Sequence, residues 1–224
     1  DQKIGISESD LAAIIQDYDA LMIRSGTQVT GQIINSSKNL RIIGRAGVGV
    51  DNVDVKAATQ KGVLVVNSPG GNTIAAAEHT IAMMLALSRN IPIANSSMFE
   101  GKWERKKFVG NELFKKKLGV VGLGKIGTHV AKVANAMGME VLGYDPFVSN
   151  ERAQQLQVKL SELDILFQDS DYVTLHLPRT VETENLVDNK VLKLMKNTAK
   201  LINCARGGII DEEALAEALN NSLI

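Results

Sequence analysis

The chain has 224 residues, of which 45% are hydrophobic and 22% are charged, and its 25 basic and 25 acidic side chains give a formal net charge of zero. This composition is typical of a globular chain with one large domain or two ordinary ones. The balanced charge gives no indication of a nucleic acid or membrane partner. The apolar stretch TIAMMLALS is too short to span a bilayer, and the one cysteine, Cys204, favours a cytoplasmic location, with an organellar stroma or matrix left open.

Short apolar runs alternate with helical patterns through the first third of the chain. The runs DALMIRS, NLRIIGRAG and GVLVVNSPG predict strands. Between them, SESDLAAIIQDY predicts a helix whose Ser7 and Asp10 have capping-box spacing, and NVDVKAATQKG predicts another. This alternation predicts a parallel sheet with helices on its faces.

A long segment in the middle, NTIAAAEHTIAMMLALSRN, predicts a helix that is apolar on most sides and therefore buried between domains or subunits. Pro92 and FEGKWERKKF then interrupt the helical pattern, and a second strand–helix alternation begins at Leu118 and continues through the strand KLINCA to the helix DEEALAEALNN. We therefore predict two α/β units with doubly wound parallel sheets, covering residues 1–90 and 91–224.

The segment VVGLGKIGTHVAKVANAMG places Gly122, Gly124 and Gly127 in G-x-G-x-x-G spacing between a strand and a helix. In a dinucleotide-binding turn, the first glycine permits the tight turn, the second lets a pyrophosphate approach the backbone, and the third lets helix and strand pack closely. Asp145 ends the next strand, where a carboxylate accepts hydrogen bonds from the adenine-ribose hydroxyls and repels a 2′-phosphate. The pattern predicts NAD rather than NADP as cofactor.

A second glycine-rich segment, GRAGVGVDN, contains Gly44, Gly47 and Gly49 in a spacing that does not match the dinucleotide turn. Together with Arg45 it could form an anion nest, because successive backbone N–H groups in such turns point to one side. The alternative is an ordinary turn at a strand end with a solvated arginine.

Arginines end three of the predicted strands: Arg24 in LMIRSG, Arg45 in IIGRAG and Arg206 in INCARGG. Ligands of parallel α/β sheets bind outside the carboxyl ends of the strands, and the guanidinium fork binds carboxylate or phosphate groups bidentately. One such arginine alone is more often structural, but three in the same position predict an anionic substrate.

None of the three histidines has an obvious carboxylate partner, although removal of a hydroxyl proton needs a base. His79 falls within the long apolar helix and predicts a packed core or interface residue, and His129 on the glycine-turn helix predicts an exposed one. His176 ends the strand YVTLHLP beside Pro178, so both predict the wall of the cofactor crevice. A catalytic base is the less favoured role for His176.

Taken in order, the segments IRSGTQVT, GRAGVGVDNVD, NSPGGNTIAAAEHT, GKWERKKF, GLGKIG, HLPRTVET and INCARGGIIDEEAL resemble the D-2-hydroxyacid dehydrogenase family over essentially the whole chain. The resemblance implies a substrate domain followed by an NAD domain, with Arg206 as the catalytic arginine. It implies a substrate site formed by Arg24, Ser25, Arg45, Gly47 and Asn72, with Arg105 reaching a substrate phosphate from a segment near a dimer interface. It implies NAD contacts from Val48, Lys125, Ile126, Asp145, Leu177, Cys204 and Ala205.

The resemblance also implies elements that this chain lacks. In the family, a glutamate and a histidine complete the catalytic set downstream of the arginine. The last strands of the NAD domain and a C-terminal segment that returns to the substrate domain also follow there. At the other end, KIGIS resembles the family's second strand, so the first strand of the substrate domain precedes this chain. We therefore expect the 224-residue chain alone to be poorly stable, with a gap in its first sheet, and to show no appreciable turnover.

The implied activity is hydride transfer between NAD and 3-phosphoglycerate, giving 3-phosphohydroxypyruvate, in the first step of serine biosynthesis. Arg45 and the basic GKWERKKF segment favour this phosphorylated substrate. The alternatives are a dehydrogenase or reductase for another 2-hydroxy acid such as glycerate or glyoxylate, and a non-enzymatic NAD-sensing protein of the same fold. A homodimer or tetramer is expected, without metal, nucleic acid or membrane.

Overall fold

In the computed structural model, which describes all residues 1–224, the chain folds as two compact units, Asp1–Asn72 (unit 1) and Thr73–Ile224 (unit 2). The division lies earlier than the predicted boundary at residue 90. The long apolar helix, residues Thr73–Ser88, belongs to unit 2, where it packs against the helices and strands that follow it.

Unit 1 alternates helices with parallel strands. In chain order its elements are α1 (Glu8–Ile14), a 3-10 turn (Ile15–Asp17), β1 (Ala20–Ile23), α2 (Gly31–Ser36), β2 (Ile42–Arg45), α3 (Val55–Lys61) and β3 (Leu64–Asn67). The Ser7 side chain caps α1 as predicted, since its Oγ accepts a hydrogen bond from the Asp10 amide at 3.1 Å. Helix α2 was not expected from the sequence.

The sheet of unit 1 has the order β1-β2-β3, and all neighbours are parallel. The three strands pair without interruption and put Ile23, Arg45 and Asn67 in register. The expected gap would lie on the outer side of β1, where a cavity of about 440 Å³ is lined by Lys3, Ile6 and strand β1. The predicted strand KIGIS was wrong: Ile4 and Gly5 form an exposed turn.

The two faces of this sheet differ. A buried cluster that includes Ile15, Ile33, Ile43 and Ala58 joins one face to the helices. The other face leaves Met22, Leu64 and Val66 exposed, at 84%, 65% and 46% of their surface. The helices of unit 1 therefore cover one face of the sheet, and the second face is open and apolar.

Unit 2 begins with two helices, continues with a five-stranded parallel sheet and ends with a helix. Its elements are α4 (Thr73–Ser88), α5 (Ile91–Phe99), a 3-10 turn (Arg105–Phe108), β4 (Lys117–Val121), α6 (Lys125–Ala136), β5 (Glu140–Tyr144), α7 (Asn150–Gln155), β6 (Lys159–Leu160), α8 (Leu163–Asp169), β7 (Tyr172–Leu175), α9 (Asn189–Leu194), β8 (Lys200–Asn203) and α10 (Glu212–Asn220). Pro92 does not end helical structure as expected, because it lies in the first turn of α5, where its missing N–H has no helical partner to lose.

The sheet of unit 2 has the order β6-β5-β4-β7-β8, so the chain moves outward from β4 in both directions. One buried cluster joins the sheet to α4 and α6, and a second joins it to α8, α9 and α10. Helices thus cover both faces, as predicted for a doubly wound unit. None of the helices in either unit combines the length and the apolar character needed to cross a membrane.

Candidate dinucleotide and anion site

The carboxyl edge of the five-stranded sheet gathers most of the residues singled out in the sequence. Gly122 follows β4, Asp145 follows β5, His176 follows β7 and Cys204 follows β8. Since β5, β4, β7 and β8 are consecutive neighbours in the sheet, these four strand ends form one continuous row. The order reverses at β4, and a topological switch point of this kind is where parallel α/β sheets bind ligands.

Two glycines of the turn are required by close packing. Gly122 has φ +95°, and a Cβ there would lie 2.6 Å from the His176 carbonyl oxygen. Gly127 lies in the first turn of α6, and a Cβ on it would lie 1.9 Å from the Gly122 carbonyl oxygen. No side chain fits at that distance, so β4 and α6 approach each other as closely as the dinucleotide motif requires.

The middle glycine behaves differently. Gly124 is exposed, and a Cβ there would meet nothing within 4 Å. It is the N-cap of α6, and no side chain caps the helix, whose first turn contains Lys125 and Ile126. The N-terminus of the helix, with the positive end of its dipole, therefore borders this open space. An open cradle at an uncapped helix start fits a pyrophosphate, and the residues present therefore fit a dinucleotide.

Asp145 fastens the glycine turn to the neighbouring strand. Its Oδ2 accepts a hydrogen bond from the Leu123 amide at 2.8 Å, and its Oδ1 accepts one from the Phe147 amide at 2.9 Å. A carboxylate has about four acceptor positions, so these two bonds leave capacity for ribose hydroxyls. The side chain is half-buried beside the cradle, which is where the predicted ribose contact requires it.

His176 is half-buried at the end of β7, and its Nε2 lies 3.1 Å from the Thr174 hydroxyl. Burial lowers the pKa of His176 to about 4. The imidazole is therefore neutral at physiological pH, and so low a pKa makes it a weak base for removing a proton at that pH. Leu177 and Pro178 continue the same strand end, in agreement with a wall next to the cofactor cradle.

This shift predicts that His176 contributes to the pH dependence of the free energy of unfolding. Between the unfolded pKa of about 6.5 and the folded pKa of about 4, the unfolded chain binds a proton that the folded chain does not, so stability falls as the pH falls. Wild type should lose about 2 kcal/mol more than His176→Gln between pH 7.5 and pH 5 in urea unfolding. His129→Gln, on α6, is the control and should keep the wild-type loss. An imidazole that titrates above pH 6 by NMR would contradict the assignment.

The end of β8 carries the residues Cys204, Ala205 and Arg206, all half-buried. Arg206 donates from Nη1 to the Ala205 carbonyl at 2.8 Å. The Asn203 side chain holds the turn, because its Oδ1 accepts from the Ala205 amide at 3.0 Å and its Nδ2 donates to the Arg206 carbonyl at 2.8 Å. An always-charged side chain is thus fixed on the same sheet edge as the dinucleotide cradle.

Unit 1 brings Arg24, Ser25 and Arg45 to the carboxyl edge of its own sheet, since Arg24 follows β1 directly and Arg45 ends the adjacent β2. Arg24 and Ser25 are exposed and Arg45 is half-buried. The Arg45 guanidinium crosses Gly47, where a Cβ would lie 2.0 Å from Nη1, and the buried Nε has no hydrogen-bond partner. A buried donor without an acceptor favours the anion-nest interpretation of this loop over a solvated arginine.

The remaining predicted positions lie elsewhere. Val48 follows Gly47 in the same loop, and Asn72 is the exposed last residue of unit 1. Arg105 is exposed at the start of the 3-10 turn of unit 2 and lines a cavity of about 420 Å³ together with Met98 and Trp103. No group of three or more His, Cys, Asp or Glu side chains is placed to bind a metal ion.

The other two histidines differ from expectation. His79 is exposed on α4, so it is not a core residue, and the interface alternative stays a prediction. His129 is half-buried and not exposed. Two residues absent from the predicted site, Asn52 and Asn203, hydrogen-bond to the main chain of arginine-bearing turns. Their position within the motifs VDN and INCARGG was the available signal.

Comparison with known proteins agrees with this geometry. Residues 81–224 match the model of the family described as D-isomer specific 2-hydroxyacid dehydrogenase, NAD binding domain. The chain is 60% identical to the D-3-phosphoglycerate dehydrogenase of Synechocystis sp., covering 100% of this chain and 40% of that protein. It is 54% identical to the protein of the same name from Archaeoglobus fulgidus, covering 97% and 41%.

Among solved structures, the D-lactate dehydrogenase from Aquifex aeolicus, complexed with NAD and lactic acid, superposes with a TM-score of 0.89 at 30% identity, covering 95% of this chain and 64% of that one. The chain spans about two fifths of the length of the curated relatives it matches. With an NAD cradle on the edge of unit 2 and a family match over more than half of its residues, the chain belongs to the D-isomer-specific 2-hydroxyacid dehydrogenase family, with NAD as cofactor.

Proposed function

We propose that the full-length protein oxidises 3-phosphoglycerate to 3-phosphohydroxypyruvate with NAD, the first step of serine biosynthesis. The observation that carries the proposal is Arg206, an arginine fixed by its own turn on the sheet edge that bears the cofactor cradle. The identity of 60% with a D-3-phosphoglycerate dehydrogenase over the whole chain supports the choice of substrate.

In this proposal NAD supplies the acceptor for the hydride, and the chain supplies binding and orientation. Arg206 binds the carboxylate and the reacting oxygen of the substrate through its planar fork of donors. Arg24, Ser25, Arg45, Gly47 and Asn72 contribute the remaining polar contacts, and Arg105 binds the phosphate. The orphaned Nε of Arg45 supports an anionic ligand in unit 1.

The direct test is a substrate profile of the full-length protein. NADH formation is measured with 3-phosphoglycerate, glycerate and lactate, and NADH consumption with glyoxylate. We expect kcat/KM for 3-phosphoglycerate to exceed that for glycerate by at least about 100-fold, because charge-assisted hydrogen bonds from arginine to a phosphate contribute about 3 kcal/mol. A preference for glycerate or glyoxylate would favour the second dehydrogenase hypothesis. NAD binding without any turnover would favour a non-enzymatic NAD sensor.

Replacement of Asp145 should change the choice between the two dinucleotides. We expect Asp145→Asn to reduce the preference for NAD over NADP by about tenfold or more, because the carboxylate charge that repels a 2′-phosphate is removed. Asp145→Ala should also weaken NAD binding, since the bond to the Leu123 amide is lost as well. Glu140→Gln, at the opposite end of β5, is the control. An unchanged NAD/NADP ratio of kcat/KM in Asp145→Asn would contradict this role.

We also propose a homo-oligomer, at least a dimer, that buries the apolar surface formed by α4, α5 and the segment after them. Its exposed side chains include Met83, Leu87, Ile91, Ile93, Met98, Phe99 and Trp103. A contiguous patch of exposed apolar side chains marks a surface that binds another chain. Light scattering of the full-length protein tests the oligomeric state, and Phe99→Glu should shift the mass toward the monomer.

We also propose a cytoplasmic location, which the single cysteine supports.

A further inference from the structure

An asparagine side chain closes the turn that carries the catalytic arginine. Asn203 uses both ends of its carboxamide, accepting from the Ala205 amide at 3.0 Å and donating to the Arg206 carbonyl at 2.8 Å. Asn203 is the last residue of β8, so the strand ladder ends there and the next residues have no strand partner. The two carboxamide bonds therefore take the place of strand hydrogen bonds where the chain leaves the sheet.

The same device recurs in unit 1. The Nδ2 of Asn52 donates to the Arg24 carbonyl at 2.9 Å and to the Thr27 carbonyl at 2.6 Å, and Asn52 is 92% buried, with 8% of its surface exposed. The Nδ2 of Asn67 donates at 2.5 Å to the Val48 carbonyl, in the loop that follows the arginine of β2. Each of the three arginine-bearing strand ends thus has a carboxamide bonded to its main chain.

The residue type matters because of the neighbouring charge. A carboxamide supplies a donor and an acceptor without charge, so it fixes the backbone and does not compete with an anionic ligand for the guanidinium. An aspartate in its place would lose the donor to the carbonyl and would compete with the ligand for the arginine. A turn fixed before the ligand arrives also lowers the entropy lost on binding.

We propose that Asn203 and Asn52 are positioning residues, which act on the substrate through Arg206 and Arg24 respectively. The inference rests on the proposed function, in which these arginines bind the anionic groups of the substrate. It adds two residues with no substrate contact of their own. Their contribution is to hold the arginine backbone in the geometry that binding requires.

The first measurement separates substrate from cofactor in the full-length protein. We expect Asn203→Ala to lower kcat/KM for 3-phosphoglycerate by about tenfold or more and to raise the Kd for NAD by a clearly smaller factor, because most of the predicted NAD contacts lie on other strand ends. Asn203→Asp keeps the shape of the side chain and should lower kcat/KM further, because its charge attracts Arg206. Equal losses in NAD binding and in kcat/KM would indicate a general structural role and would overturn the inference.

A double-mutant cycle on Asn52 and Arg24 supplies the second measurement. Asn52→Ala should raise the KM for 3-phosphoglycerate by about tenfold in wild type but by less than about twofold in Arg24→Ala, since the arginine it positions is gone. Equal factors in both backgrounds would overturn the inference. Asn52→Asp, which is nearly isosteric, repeats the cycle if the alanine variant does not fold.

Asn135 provides a matched control. Its Nδ2 donates to the Leu156 and Gln157 carbonyls at 3.2 Å and 3.1 Å, so it makes the same kind of bond at the C-terminal end of α6, away from the arginine turns. Asn135→Ala should lower the thermal midpoint and leave both KM values unchanged, and a raised substrate KM would count against the inference.

Failure of the proposed function has a different signature. If the wild-type protein does not turn over 3-phosphoglycerate, that function is wrong, and the cycle is then measured with oxalate, a small dianion, by calorimetry on the NAD-loaded protein. The same non-additive loss of oxalate affinity is expected there, and additive losses would overturn the positioning role.

Discussion

Replacing Arg206 by alanine in the full-length protein is expected to lower kcat/KM for 3-phosphoglycerate by about 1000-fold, while the Kd for NAD stays within about twofold. Loss of a bidentate, charge-assisted contact in a water-poor site removes about 4 kcal/mol of transition-state stabilisation. The loss should concern 3-phosphoglycerate and not NAD, because the cradle at Gly124 and the Asp145 carboxylate belong to other strand ends of the sheet.

Arg206→Lys should recover only a small part of the loss, since an ammonium group keeps the charge but not the planar fork. Lys200→Ala is the matched control, because Lys200 begins the same strand at the opposite edge of the sheet. Steady-state kinetics and NAD titrations on all three variants test whether Arg206 contacts the substrate. A loss below about tenfold in Arg206→Ala would contradict a direct contact with the substrate.

Two alanine substitutions in the glycine turn should differ in their effect on stability. Gly127→Ala places a methyl group 1.9 Å from the Gly122 carbonyl oxygen, a distance that forces α6 and β4 apart. We expect it to lower the free energy of unfolding by about 3 kcal/mol or more and to abolish measurable NAD binding. Thermal unfolding of the full-length protein, followed by circular dichroism, measures the first effect.

Gly124→Ala should leave the unfolding midpoint unchanged, because a Cβ there meets nothing within 4 Å. Its expected effect is on NAD alone, with an affinity loss of about tenfold or more as the methyl group enters the space where the pyrophosphate approaches the backbone. Unchanged NAD affinity in Gly124→Ala would show that the cradle is not the phosphate site.

Local sequence patterns were sufficient for most of the architecture. Strands β4, β5, β7 and β8 of unit 2 were predicted, because buried parallel strands are short apolar runs and the helices between them repeat with helical periodicity. Helix α2 was missed because it has six residues, begins at Gly31 and has a single weak signal, the N-cap Thr30. KIGIS was wrong because an apolar run becomes a strand only when a neighbouring strand pairs with it.

The glycine turn, Asp145, His176 and Arg206 were also predicted, since contiguous motifs at strand ends carry them. The asparagines were not, because their bonds depend on three-dimensional proximity: Asn52 reaches the Thr27 carbonyl across 25 positions of the chain. The low pKa of His176 is equally inaccessible from sequence, as burial in the folded unit is its cause.

Trp103 is the only tryptophan of the chain, and 79% of its surface is exposed on the proposed dimer surface. The intrinsic fluorescence of these 224 residues therefore comes mainly from one indole at a known place. Contact with a second copy would move that indole out of water and shift its emission to shorter wavelength. The proposed association of two copies can thus be tested without a dye, by an optical signal that the chain already contains.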